Sequence, residues 1–118
     1  MKRGDYVRAE GVLTRATAVY ERSLGPGHPA LSTPLVNLAG VLTYQRKHAE
    51  AEAIYARALA IDQSALGPDH PYVADGMTNL GAALLAQGKA DQAQAYFEKA
   101  IAIQERVLGA DHPDVAWT

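Results

Sequence analysis

The stretch LGPDHP at residues 66–71 belongs to a motif that recurs every 42 residues in this 118-residue chain. The other copies are LGPGHP at 24–29 and LGADHP at 108–113. The register continues outside the motif, because an ungapped comparison of residues 34–75 with residues 76–117 gives 17 identities in 42 positions. Self-similarity at a fixed period of this length is typical of repeat proteins. The sequence therefore predicts tandem copies of one structural unit.

Each repeat contains a shorter and a longer amphipathic segment. The longer segments, 49–66 and 91–108, carry apolar residues at spacings i, i+3, i+4, i+7 and i+8, and an earlier copy begins at Val7. Shorter segments with a stripe of the same period lie at 35–42 and 77–84. No segment alternates with period two, which excludes a β-propeller of similar repeat length. The pattern predicts an all-α fold, an α-solenoid of antiparallel helix pairs.

The 42-residue register also predicts the domain organisation. We expect one array made of a partial repeat at 1–33 and full repeats at 34–75 and 76–117. The sequence opens on the second helix of a pair and closes with the first turn of a new helix at 114–118. Isolated solenoids generally need polar capping helices, and neither end has one. We therefore expect the chain to be a fragment of a longer array.

Composition limits the classes of function. Apolar residues make up 48% and charged residues 20%, the net charge is −2 and there is no cysteine. This charge provides no attraction for nucleic acid or an anionic membrane. Charged residues at 8, 10 and 15 interrupt what would be a signal-peptide core, and the longest apolar run, at 82–86, is too short to cross a bilayer. We expect a cytoplasmic protein that binds neither nucleic acid nor membrane.

The sequence also offers little for catalysis. It contains no glycine-rich phosphate loop after a strand, no nucleophile elbow and no cluster with metal-ligand spacing. We therefore expect no enzymatic activity, no cofactor and no metal.

The LGPDHP motif itself has two interpretations. In the structural one, Gly67 ends a helix in a left-handed conformation, Pro68 prevents its continuation, and Pro71 suits the first turn of the next helix. Pro71 also keeps His70 extended, so that Asp69 or His70 can cap the free N–H groups of that helix.

The alternative interpretation of the motif is a metal or acid–base site. Equivalent atoms of successive helix pairs lie about two helix widths, or 16–20 Å, apart. Zinc requires its nitrogen ligands at about 2.0–2.1 Å, so His28, His70 and His112 cannot bind one ion together. A catalytic group would moreover be needed once, whereas this motif is copied in each repeat. The structural interpretation is therefore favoured.

The repeat resembles the tetratricopeptide repeat, in the 42-residue form found in kinesin light chains and many bacterial relatives. The matching phrases are NLAGVL at 37–42, AEAEAIYARALAI at 49–61 and LGPDHPYVA at 66–74, with NLGAALLAQGKADQAQAYFEKAIAI at 79–103 and LGADHPDVA at 108–116. Armadillo- or HEAT-like repeats are the alternative fold, but the absence of a third helix argues against them. The resemblance implies a right-handed superhelix whose short helices line a concave peptide-binding surface. The alanine-rich composition is in keeping with a bacterial source.

Two asparagines, Asn37 and Asn79, occupy the same slot of the two short helices. Asparagine is unfavourable inside a helix by up to roughly 0.7 kcal/mol relative to alanine, so its recurrence requires a reason. Either each amide bonds neighbouring backbone within the array, or both face the groove and offer a donor and an acceptor to a peptide backbone. The resemblance implies the second role. The other residues predicted around them are Thr33, Tyr44, Asp75, Thr78 and Ala86.

The short helices carry no lysine or arginine, and Asp75 is their only charged residue. Recognition of acidic peptides requires basic groups, so we expect a protein or peptide partner that is neutral or basic rather than acidic. Arg46, Lys47 and Lys89 fall in the turns between helices and are expected to be exposed to solvent.

The second candidate role is that of a structural spacer or self-assembly segment within a larger signalling protein. Because each repeat is built to receive the next, uncapped ends would present complementary apolar surfaces. The residues expected at one end are Val12, Leu13 and Val19, and those at the other are Val115 and Trp117. Head-to-tail self-association would follow.

Overall fold

The computed structural model describes the backbone of residues 3–111 and the side chains of residues 3–107. This part of the chain consists of helices, which are α1 (Arg3–Leu24), a short 3-10 turn (Pro29–Leu31), α2 (Ser32–Tyr44), α3 (His48–Leu66), α4 (Pro71–Ala86) and α5 (Ala90–Asp111). Each α-helix packs against its neighbours in sequence, and residues 3–111 contain no strand. The predicted all-α solenoid of helix pairs is confirmed. The predicted new helix at 114–118 lies outside the described residues.

The repeated motif ends one helix and begins the next. Gly25 and Gly67, which follow α1 and α3, have φ angles of 96° and 92°, a backbone conformation that glycine adopts without strain. Nδ1 of His70 accepts a hydrogen bond of 3.1 Å from the Tyr72 N–H in the first turn of α4. His28 caps the turn at Pro29–Leu31 in the same way, at 3.0 Å from the Ala30 N–H. Histidine therefore has the capping role that the structural interpretation predicted.

The third copy of the motif behaves differently at its start. Helix α5 does not end at Leu108 but continues through Gly109 to Asp111. The copies that end α1 and α3 carry Pro26 and Pro68 directly after the glycine, whereas this copy carries alanine at position 110. Proline cannot continue a helix, while alanine is the most favourable helix residue, so the glycine alone does not stop α5. His112 lies outside the described residues.

Small residues allow the helices to pack closely, as the spacing of the repeats indicated. Gly81 of α4 lies so near α5 that a Cβ atom built on it would be 2.8 Å from Cε1 of Phe97. Alanines occupy the corresponding contacts of the other helices and are at most 2% exposed. They are Ala39, Ala51, Ala58, Ala93 and Ala100. Leucines and other large apolar side chains fill the space between neighbouring helices, with Leu31, Leu35, Val73 and Leu84 the largest fully buried ones.

A polar bridge joins the turn between α2 and α3 to α1, and an equivalent bridge joins the turn between α4 and α5 to α3. Glu10 of α1 accepts hydrogen bonds from Gln45 (2.8 Å) and Lys47 (3.1 Å). Glu52 of α3 accepts the same pair from Gln87 (2.7 Å) and Lys89 (3.2 Å), each residue being 42 positions further on. The glutamine amides and then the lysine ammonium groups hold the pKa of both glutamates below the ordinary value of 4.5.

The bridges predict a pH dependence of stability. Because the pKa of Glu10 and of Glu52 is lower in the folded than in the unfolded chain, their stabilising effect is complete above the unfolded value and is lost as the pH falls through the folded value. The double variant Glu10→Gln/Glu52→Gln should lose up to about 1 kcal/mol per bridge at pH 7. In urea unfolding between pH 7 and pH 3, the double variant should lose less unfolding free energy on acidification than the parent does.

Glu50 provides the control, because it is exposed on α3, two residues before Glu52, and has no hydrogen bond or ion pair with the described residues. Glu50→Gln should leave the pH profile unchanged. If Glu50→Gln reduced the loss of unfolding free energy on acidification by the same amount, the overall negative charge, and not the bridges, would cause that loss.

Candidate functional site

The short helices α2 and α4 border an open cavity of about 200 Å³ in the first half of each helix. Helix α3 packs against both of them and contributes one residue to the lining. The lining residues are Ser32, Thr33, Val36, Asn37, Asp62, Tyr72, Asp75, Gly76 and Asn79. Polar side chains from two successive repeats thus meet in one place.

The helical period explains why the predicted residues meet here. Thr33 and Asn37 lie one turn apart on α2, and Asp75 and Asn79 lie one turn apart at the same positions of the next repeat. All four line the cavity. Four of the seven residues that the sequence analysis selected are therefore brought together, although whether a peptide binds them stays a prediction.

The remaining three selected residues lie elsewhere. Tyr44, at the end of α2, lines a separate cavity and stacks on Tyr6. The Thr78 hydroxyl donates a hydrogen bond of 3.1 Å to the Ala74 carbonyl, four residues earlier in α4. Ala86 is exposed at the last position of α4.

The amides of Asn37 and Asn79 are not used within the described part of the fold. Asn37 is exposed and Asn79 half-buried, and neither side chain forms a hydrogen bond with any residue between 3 and 107. By contrast, Thr17 and Thr43 each donate to the carbonyl four residues earlier, at 2.8 Å. The alternative in which the asparagines bond the backbone of the array therefore finds no support here.

The lining carries negative charge. Asp62 is half-buried at the α3 side of the cavity and Asp75 is exposed on α4, and no residue of the described range forms an ion pair with either. No lysine or arginine lines the cavity. The charged side chains of the lining, Asp62 and Asp75, are therefore both acidic.

Tyr72 and Asp62 belong to the lining but were not selected from the sequence. Tyr72 follows directly after the motif, where His70 caps its N–H and also contacts its ring edge-on, with centroids 4.8 Å apart at 64°. This places a phenol ring, 63% exposed, at the cavity. Asp62 lies one turn after Ala58, at the next position of the apolar stripe of α3. This position in the stripe is the sequence signal that could have identified Asp62.

A second cavity, of about 310 Å³, lies near the other end of α2. The rings of Tyr6 and Tyr44 stack at 5.3 Å with an interplanar angle of 13°. The cavity is lined by Arg3, Tyr6, Val7, Tyr44, Gln45 and Arg46. Its lining is basic and aromatic, in contrast to that of the first cavity.

The described residues contain no group of three or more histidine, aspartate or glutamate side chains placed to hold a metal ion. Within residues 3–111, no helix has both the length and the apolar character needed to cross a membrane.

Comparison with known proteins agrees with this architecture. The family model for the tetratricopeptide repeat matches residues 1–63, 30–106 and 75–118. Among solved structures, the chain is similar to the nearly identical TPR-like repeats attributed to a kinesin light chain of Podosopora anserina, with 25% sequence identity and a TM-score of 0.81. The match covers 95% of this chain and 53% of that one, so this chain spans about half of its length. No curated protein matches. The chain belongs to the tetratricopeptide repeat family, whose repeats generally mediate interactions between proteins.

Proposed function

We propose that this chain is a non-catalytic module that binds an extended peptide segment of a partner protein along the groove between α2 and α4. The observation that carries the proposal is the pair Asn37 and Asn79, which line one cavity with their amides unbonded to the described residues. Asparagine disfavours the helix interior, so two in-register copies without an internal partner are best explained by a partner from outside.

The amide group suits a peptide backbone. Each asparagine offers two N–H donors and one carbonyl acceptor, and each residue of an extended peptide offers one of each. Because Asn37 and Asn79 come from successive short helices, a peptide that crosses from α2 to α4 meets both. Such contacts read the backbone and leave sequence preference to neighbouring side chains, here those of Thr33, Tyr72 and Asp75.

The charge of the groove supports a neutral or basic peptide. Asp62 and Asp75 have no cationic partner in the described part of the chain, and the lining contains no positive charge to offset them. A lysine or arginine of the ligand at this cavity would supply the missing charge.

The asparagines provide the test. A peptide is first selected from a displayed library of random dodecapeptides on the immobilised chain, and its affinity is then measured by fluorescence polarisation. The double variant Asn37→Ala/Asn79→Ala should bind it more weakly by about 1 kcal/mol per lost hydrogen bond, or about thirtyfold in total. Its unfolding free energy should stay near or slightly above that of the parent, because alanine favours helix.

Gln92→Ala provides the control, since it removes an exposed amide from α5, away from the cavity lining. It should leave the affinity unchanged. If the asparagine double variant instead unfolds more easily by several kcal/mol, the amides are structural and the groove assignment is wrong.

The exposed face of α1 favours self-association as a second function. Val12, Val19 and Tyr20 are 63%, 46% and 44% exposed, and they border a shallow cavity of about 360 Å³ with Ala16. Leu13, expected at the same end, is instead half-buried against the cluster of α2 and α3 that contains Leu38. The residues expected at the opposite end, Val115 and Trp117, lie outside the described residues.

Sedimentation velocity over a hundredfold dilution series tests this second function. We expect the sedimentation coefficient to rise with concentration, because a head-to-tail contact is heterologous and extends. Val12→Glu/Val19→Glu should abolish the rise, since the two charges would have to be buried at the contact. A single monomeric species at all concentrations would contradict self-association and leave the peptide-binding proposal untouched.

A further inference from the structure

The turn between α2 and α3 holds Arg46 at a φ of 63°, and among the described residues it is the one non-glycine residue with a positive φ. The equivalent residue of the next repeat is Gly88, with a φ of 80°. The turn thus needs a backbone conformation that glycine adopts freely and that strains other residues. Because glycine occupies this position in the next repeat, the turn itself does not require the side chain of Arg46.

The surroundings of Arg46 are also specific to the first repeat interface, which is the contact of α1 with the turn between α2 and α3. Tyr44, 71% exposed, stacks on Tyr6 beside it, and Arg3 lines the same cavity. The positions 42 residues after Tyr6, Tyr44 and Arg46 are occupied by His48, Ala86 and Gly88. The combination of two stacked tyrosines and an arginine is therefore absent from the equivalent contact of α3 with the turn between α4 and α5. It is an addition to the repeat scaffold.

The charges at this cavity favour an anion. Arg3 and Arg46 form no ion pair with any residue between 3 and 107, and no carboxylate lines the cavity. The neighbouring Glu10 is already bonded to Gln45 and Lys47. A guanidinium group binds a carboxylate through two parallel hydrogen bonds, and an exposed tyrosine ring provides a surface on which the adjoining chain can pack.

We propose that Arg3 and Arg46 bind the side-chain carboxylate of an aspartate or glutamate in the peptide that the groove holds. This inference rests on the proposed function and adds a ligand preference to it. Tyr44 lies seven residues after Asn37 on the same side of α2, or about 10 Å along the helix axis. An extended peptide covers this distance with about three residues. The preferred ligand thus carries its acidic residue towards the end of α2 and a neutral or basic residue at the cavity of Asp62 and Asp75.

The test compares peptide selections on matched variants. A displayed library of random dodecapeptides is selected on the parent chain, on Arg46→Gly and on Arg22→Ala. Arg46→Gly introduces the residue that the next repeat uses, so it should fold at least as stably as the parent. Arg22→Ala removes the same charge from the last turn of α1, far from Arg3.

Peptides selected by the parent and by Arg22→Ala should be enriched in aspartate or glutamate at a fixed position, and those selected by Arg46→Gly should not. In a synthetic copy of a selected peptide, Glu→Gln should weaken binding to the parent about tenfold and leave binding to Arg46→Gly unchanged.

Four outcomes would overturn the inference. Acidic enrichment that persists with Arg46→Gly would place the carboxylate elsewhere. Peptides that bind through Asn37 and Asn79 without any acidic enrichment would leave the proposed function intact and refute this addition to it. Loss of binding on amidation of the peptide C-terminus, with no effect of Glu→Gln, would identify a terminal carboxylate instead of a side chain. Failure to select any peptide would refute the proposed function and this inference with it.

Discussion

The Leu84→Ala variant is expected to lose about 2–5 kcal/mol of unfolding free energy, the range for a leucine truncated in a packed core. Leu84 is 2% exposed in α4 and belongs to the cluster that joins α3, α4 and α5. The loss combines the transfer free energy of the removed methyl groups with the cavity that remains. Since small proteins are stable by about 5–15 kcal/mol, it would be a large fraction of the total. Urea unfolding followed by circular dichroism should show a lower midpoint with an unchanged slope.

The next residue, Leu85, gives a matched control because it has the same side chain on the same helix and is 53% exposed. Leu85→Ala should change the unfolding free energy by about 0.5 kcal/mol or less. Equal losses for the two variants would mean that α4 does not present the face described here to its neighbours.

The second large effect is expected for Gly81→Val at the contact between α4 and α5. The Cβ atom alone would lie 2.8 Å from Cε1 and 3.0 Å from Cδ1 of Phe97, so the ring or the helix must move. Overpacking of this kind costs about 1–3 kcal/mol, and the two methyl groups of valine place the expected loss near the upper end. Thermal and urea unfolding would both register this loss.

Gly40→Val is the control, because a Cβ atom at Gly40 of α2 meets no atom within 4 Å. It should be nearly neutral or slightly stabilising, since valine is a somewhat better helix residue than glycine. Adding Phe97→Leu to Gly81→Val should recover part of the loss, because the shorter side chain leaves room for the new methyl groups. If Phe97→Leu and Gly81→Val were simply additive, the two residues would not be in the contact described.

The helix pairs could be predicted from the sequence because two independent signals agreed. The apolar period placed the helices, and the repeated Gly-Pro and His-Pro steps placed the ends of α3 and the start of α4. The end of α5 could not be placed in this way, because the third copy of the motif has alanine at position 110 in place of the proline that prevents continuation after Gly25 and Gly67. The polar bridges were also missed, although Glu10, Gln45 and Lys47 all recur 42 residues later. The recurrence of these three polar residues in register is the sequence signal that indicates the bridges.

The candidate site could be predicted only in part. Thr33 and Asn37 lie one turn apart on α2, and Asp75 and Asn79 lie one turn apart at the equivalent positions of α4. Residue spacing along one helix is visible in the sequence, so these four residues could be predicted. Asp62 reaches the same cavity from α3, and Tyr72 reaches it through the capping contact with His70. The apolar period of α3 shows that Asp62 faces a neighbouring helix, but the meeting of Asp62 and Tyr72 at one cavity depends on how three helices pack together. The strained Arg46 was likewise visible only as a charged residue in a turn until its φ was known.

The central claim is that a peptide binds across α2 and α4, and mapping amide chemical shifts with a selected dodecapeptide tests it most directly. We expect the largest changes in chemical shift to cluster at Thr33, Asn37, Asp75 and Asn79, with little change in α5 and the exposed face of α1. Changes concentrated instead on α3 and α5, or on the stripe of Val12 and Val19, would contradict it.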